Sequence, residues 1–134
     1  MSDNYSQATY SPFIPGRFVS EEDLEFITSF GVCWEREGEE DYYFFEPEYC
    51  TTGYTHDSAG NEVEHEEEEL LERFQQIVKR ANGELPWITR ETAYSCSKMQ
   101  PGYFGGSAVF ITADDIKYSG TSDWLRDKIK EATP

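Results

Sequence analysis

The segment EVEHEEEELLERF, residues 62–74, sets seven glutamates within eleven positions around a single histidine. Carboxylates beside an imidazole are groups that ligate metals and move protons. Glu62-x-x-His65 has the i, i+3 spacing that carboxylate-bridged di-metal bundles project from one helix face, with Glu66 and Glu69 following. Such a centre needs a second Glu-x-x-His, and the other histidine, His56, has Gly53 at that spacing. The His-Glu-x-x-His order of zinc peptidases is absent as well. A small cytosolic enzyme or metal-binding domain using His65 and its neighbouring glutamates is therefore the second of two readings.

Other chemistry finds less material. Asp57 opens DSAGNE like a calcium loop, but Gly60 falls at the fourth position rather than the sixth. Cys50 or Cys96 with His56 or His65 lacks the flanking pattern of an activated nucleophile, and there is no glycine-rich phosphate loop. Cys33, Cys50 and Cys96 are widely spaced and form no C-x-x-C, which predicts reduced thiols in a core. No cofactor is implied.

Charge is the dominant signal. With 27 Asp and Glu against 11 Lys and Arg, the chain carries a net charge of −16. The first 72 residues hold 20 of the acids against Arg17 and Arg36, while residues 73–134 hold seven acids and nine bases, so one half carries the whole excess. A field of that sign repels nucleic acid and anionic membranes and attracts a basic protein surface. The later bases form no stripe interleaved with aromatics, so direct nucleic-acid binding is not expected.

Two clusters concentrate the charge. One is Glu35, Glu37, Glu39, Glu40 and Asp41; the other is Glu62, Glu64, Glu66, Glu67, Glu68 and Glu69. Brought together they make an array of about ten carboxylates, comparable with duplex DNA at about one charge per 1.7 Å of axis. The expectation is a non-enzymatic inhibitor of the DNA-mimic kind, of the sort phage and mobile elements direct against CRISPR or restriction systems. Its acidic face would cover the basic, nucleic-acid-binding surface of a partner protein. Trp34, Tyr42, Tyr43 and Tyr54 are the neighbouring aromatics expected to supply desolvated anchors.

Those side chains need elements to hold them. SEEDLEFITSFG predicts a short helix capped by Ser20, with Leu24, Ile27 and Phe30 at helical spacing and Gly31 as its stop. Residues 32–37 and 42–50 predict a hairpin turned by GEED, with Tyr42 and Phe44 on one face and Tyr43 and Phe45 on the other. Aromatics on both faces imply double cover or an interface, including a homodimer. Residues 62–82 read as the strongest helix, with Leu70, Leu71, Phe74, Ile77, Val78 and Ala81 spaced by three and four and Asn82-Gly83 closing it. PWITRETAYSCSK and YFGGSAVFIT predict two further strands, and TSDWLRDKIKEA a last helix capped by Thr121 or Ser122. The sum is one α+β domain over residues 20–134 behind an irregular arm at 1–19: an antiparallel sheet of about four strands with about three helices, in the order α-β-β-α-β-β-α. With no secretion signal and no apolar span, a soluble, cytoplasmic protein is expected.

Overall fold

Ser20 and Asp23 start the first helix by capping each other: the Ser20 Oγ accepts the Asp23 N–H at 3.1 Å, and the Asp23 carboxylate accepts the Ser20 N–H at 2.9 Å. The computed structural model that shows this describes residues 4–134. Along the chain come β1 (Asn4–Ser11), β2 (Ile14–Pro15), a 3-10 turn (Gly16–Phe18), α1 (Glu21–Thr28), β3 (Cys33–Glu37) and β4 (Asp41–Glu46). There follow β5 (Thr52–His56), β6 (Glu62–Glu66), α2 (Glu67–Ala81), β7 (Ile88–Cys96), β8 (Gly105–Ile111), β9 (Ile116–Gly120) and α3 (Thr121–Ala132). Gly31 stops the first helix region at φ +83°, a conformation that only glycine adopts without strain.

All seven strands of the main sheet pair antiparallel. β3 takes one edge of β4; β1 and β2 share the other, and β7, β8 and β9 follow beyond β1. β5 and β6 form a separate two-stranded hairpin. One face of the large sheet is covered. Leu70, Leu71, Phe74, Ile77, Val78 and Ala81 of α2 bury the stripe that the 3–4 spacing predicts. Phe74 stacks on Tyr10 at 4.6 Å and meets Phe44 edge-on at 5.3 Å, so one helix side chain joins β1 and β4. The inner residues of β4 are Tyr42, Phe44 and Glu46, alternating with half-buried neighbours as strand geometry requires.

The mixed α+β class, the antiparallel sheet and the three helices agree with the sequence reading, but the sheet has seven strands rather than about four and the element order differs. Residues 4–11, read as an irregular arm, are a central strand; residues 1–3 lie outside the described residues. β1 hides its character because only Ala8 and Tyr10 of its eight residues are buried, too few to print an apolar alternation. The long helix also starts five residues late. From Glu62 to Glu66 the chain is β6, in which glutamates alternate with half-buried Val63 and His65; this is period 2, not 3.6. Cys33 and Cys50 are exposed and only Cys96 is buried, which corrects the expectation of core thiols. Among the described residues no helix is long and apolar enough to cross a membrane.

Asp23 does more than cap. Its carboxylate is fully buried and also accepts from Arg73 at 3.2 Å and Arg80 at 2.6 Å, tying α1 to the middle and the end of α2. Burial pushes its pKa up, but the hydrogen bonds from Arg80, Ser20 and Arg73 outweigh that and hold it below the ordinary aspartate value. A carboxyl depressed in the folded state contributes stability above its unfolded pKa of about 4 and loses it as pH falls through the folded value. Asp23→Asn is therefore expected to lose roughly 2 kcal/mol at pH 7 and less at pH 3, read by urea denaturation at both pH values.

Candidate functional site

The β5–β6 hairpin presents one acidic face. The register pairs Thr52 with Glu66, Tyr54 with Glu64 and His56 with Glu62, so these six side chains share a side of the ribbon. Successive glutamates on β6 are spaced by about 6.6 Å, close to two axial steps of about 3.4 Å along a DNA strand. Tyr54, half exposed, stands at the centre of this side. Glu68 continues the exposed acids into the first turn of α2. Among the described residues none of Glu62, Glu64, Glu66 or Glu68 has a cation within ion-pair distance.

The opposite side of the ribbon seats it on α1. A Cβ at Gly53 would lie 2.5 Å from the Phe30 ring, so only glycine lets the strand approach this closely. His65 packs edge-on against Phe26 at 5.0 Å; its Nε2 is 2.6 Å from Thr55 Oγ1 and its Nδ1 3.2 Å from Glu69 Oε1. Both ring nitrogens are thus engaged by the protein. Because Glu62 and His65 are three apart on a strand, they point to opposite sides, and the helical i, i+3 ligand pair does not form. Glu69 is committed too, since its carboxylate also accepts the Glu66 N–H at 2.8 Å at the start of α2.

The other acidic cluster lies elsewhere. Glu35 and Glu37 share a side of β3 with Tyr43, whose hydroxyl donates to Glu35 at 2.6 Å, and with Asp41 opposite Glu37. At the tip, the Glu39 carbonyl accepts from Arg36 at 3.1 Å and the Glu40 carbonyl from the Gly16 N–H at 2.6 Å. Two residues past Gly16, the Phe18 carbonyl accepts from Arg80 at the end of α2, whereas Glu67 begins that helix. Fifteen residues of α-helix span about 22 Å, so the hairpin tip and the β6 glutamates belong to opposite ends of the molecule. The single array of about ten carboxylates is replaced by two separate faces. Trp34 turns to the other side of β3, 36% exposed and edge-on to Tyr42 at 5.1 Å. Tyr42 itself is 7% exposed and accepts from Arg36 at 2.9 Å; it belongs to the core and is not a surface anchor.

Glu67 is also turned inward, into a buried polar cluster the sequence reading missed. Arg90, 2% exposed, bonds Glu67 through Nη2 and faces Glu46, 1% exposed, at 4.0 Å. Tyr10 donates to Glu46 at 3.0 Å, Tyr49 donates to Glu67 at 2.6 Å, and the Arg90 guanidinium lies 5.3 Å over the Tyr49 ring. Ala8 is in register with Glu46 on one side and Thr92 on the other, and its small side chain leaves room for these groups. A cleft of about 190 Å³ lined by Arg90, Glu67, Tyr49 and Tyr118 opens beside them. One guanidinium is thus set against two carboxylates. The role of the cluster is to lock β1, β4, β7 and α2 together. The signal was parity: Arg90 shares the inner side of β7 with Ile88, and Glu46 that of β4 with Phe44.

No family model, curated protein or solved structure matches this chain.

Burial lifts the Glu46 carboxyl above its ordinary value, although Tyr10 and Arg90 pull it down. A raised folded pKa gives stability that is present below the unfolded value and is lost as pH rises through the folded one, the reverse of Asp23. Glu46→Gln, which keeps an acceptor for Tyr10, is expected to change stability by less than about 1 kcal/mol at pH 7 and to remove that decline. Arg90→Met strands two carboxylates and is expected to cost roughly 3–5 kcal/mol. Guanidinium denaturation of both variants between pH 4 and 8 measures the contrast.

Proposed function

We propose that this protein is a non-enzymatic interaction protein whose outward β5–β6 face binds the basic, nucleic-acid-binding surface of a partner and blocks it, as a DNA mimic does. The observation that carries the reading is the row Glu62, Glu64 and Glu66 beside Tyr54, exposed on a hairpin that the large sheet does not use. Uncompensated carboxylates on a fixed ribbon steer a basic surface and set its orientation, while Tyr54 offers an aromatic anchor within the charged rim. Glu68 extends the row. The β3–β4 face, with Glu35, Glu37 and Tyr43, is a second and remote acidic patch that suits an extended or two-lobed partner. The reading built on His65 has less support, because Thr55 and Glu69 occupy both ring nitrogens. Inhibition of a host defence complex by a phage or mobile element is the most concrete form of this function.

The test is a tagged capture from nuclease-treated bacterial lysate, eluted proteins being identified by mass spectrometry. The expected result is a basic nucleic-acid-binding protein that excess duplex DNA displaces and whose retention falls steeply between 50 and 200 mM salt. The triple change Glu62→Gln, Glu64→Gln, Glu66→Gln should lower capture at least tenfold without altering the far-UV spectrum, while Glu84→Gln should leave it unchanged. Capture indifferent to DNA, salt and the triple change would falsify the mimic reading.

A further inference from the structure

We infer that α3 and the groove beside it form a two-fold interface between two copies of this chain, with the α3 ridge of each copy seated in the groove of the other. The inference is independent of the acidic-face reading. α3 is twelve residues long and none of them is buried, yet it has an apolar stripe in Trp124, Leu125 and Ile129, exposed by 61%, 52% and 62%. Isolated helices of this length are marginal in water unless one face packs. Among the described residues, the hydrogen bonds from α3 to the sheet are confined to its first residue, where Thr121 Oγ1 meets the N–H and carbonyl of Gly106 at 2.9 and 3.2 Å.

Beside that ridge lies its complement. Glu91, Ala108 and Ser119 form one register row across the uncovered face of β7, β8 and β9, and with Trp124 and Leu125 they line a groove of about 610 Å³. Phe110, the next outward residue of β8, stacks on Trp87 at 6.2 Å and continues the apolar floor. A ridge and a groove on one side of the molecule are the self-complementary pair that an isologous contact needs. The area is adequate. With aromatic side chains of about 150–250 Å², the exposed parts of the three ridge residues and the Trp87–Phe110 pair sum to roughly 450 Å², near the apolar share of a standard interface of about 800 Å² per partner.

Charge selects a second copy as the occupant. The chain carries −16, but α3 holds Asp123, Asp127 and Glu131 against Arg126, Lys128 and Lys130 and is neutral. A basic partner has far stronger attractors in the two acidic faces, whereas another copy of so acidic a chain is best accepted where the local charge cancels. This also moves any self-association away from residues 42–45, where Phe44 is buried in the core.

Sedimentation equilibrium in reducing buffer, which removes any bridge through the exposed Cys33 and Cys50, tests the proposal. At about 100 μM the expected mass is that of two chains, against 15.5 kDa for one. Leu125→Glu with Ile129→Glu should halve the mass and leave the circular dichroism of the sheet intact, because neither residue is in the core. Tyr43→Glu, on the same face but on β4, three strands away from β8, should leave the mass doubled. A single-chain mass at every concentration, or a dimer that survives the α3 changes, overturns the proposal.

Discussion

β1 lies between β4 and β7, and its eight register pairs with β7, together with its pairing to the end of β4, close two hairpin systems into one sheet. A polar strand can do this because backbone hydrogen bonds carry the pairing whatever the side chains are. Its two buried residues then fix the register, since a slip of one position would turn Ala8 and Tyr10 outward. Tyr10 supplies the ring on which Phe74 stacks, and Ala8 the space that Glu46, Thr92 and Arg90 occupy. Core and polar cluster both depend on that one strand.

The placement of α2 follows from the same face. Three arginines of the nominally basic half, Arg73, Arg80 and Arg90, reach acids of the first half: Asp23, Glu46 and Glu67. Three of the nine bases of the later residues are thereby used in pairs within the fold. Because three acids are used with them, the rest of the chain keeps the net charge of −16, and exposed glutamates cluster on the two hairpins that carry them. Buried aromatic contacts offset such self-repulsion, and the carboxylates stay exposed.

Elements with a strong local period were legible. α1 showed in the reciprocal pair Ser20 and Asp23, and the C-terminal part of α2 in the stripe from Leu70 to Ala81. The β3–β4 hairpin and the β7–β8 pair were visible in their alternation. β9 was not, because Ile116 to Gly120 is nowhere buried and so shows no apolar side. Glu62 to Glu66 looked helical from composition, yet its alternation with Val63 and His65 already carried the strand period. At the candidate site Tyr54 was nominated and is exposed beside Glu64, whereas Tyr42 was nominated and is buried. Aromatic type alone does not distinguish the two roles.

By itself the sequence determined the charge, the aromatic content, the Ser20 cap of α1, the close of α2 at Asn82 and the faces of the periodic segments, because these depend on residue type and on neighbours within one turn or one strand. Only the tertiary structure decided that the two acidic clusters stand apart, that Glu67 turns inward to Arg90, that His65 is held by Thr55 and Glu69, and that α3 is uncovered. Each of those facts is set by which distant strands pair and in what register. Backbone hydrogen bonds join such strands without leaving a mark on the local pattern of either.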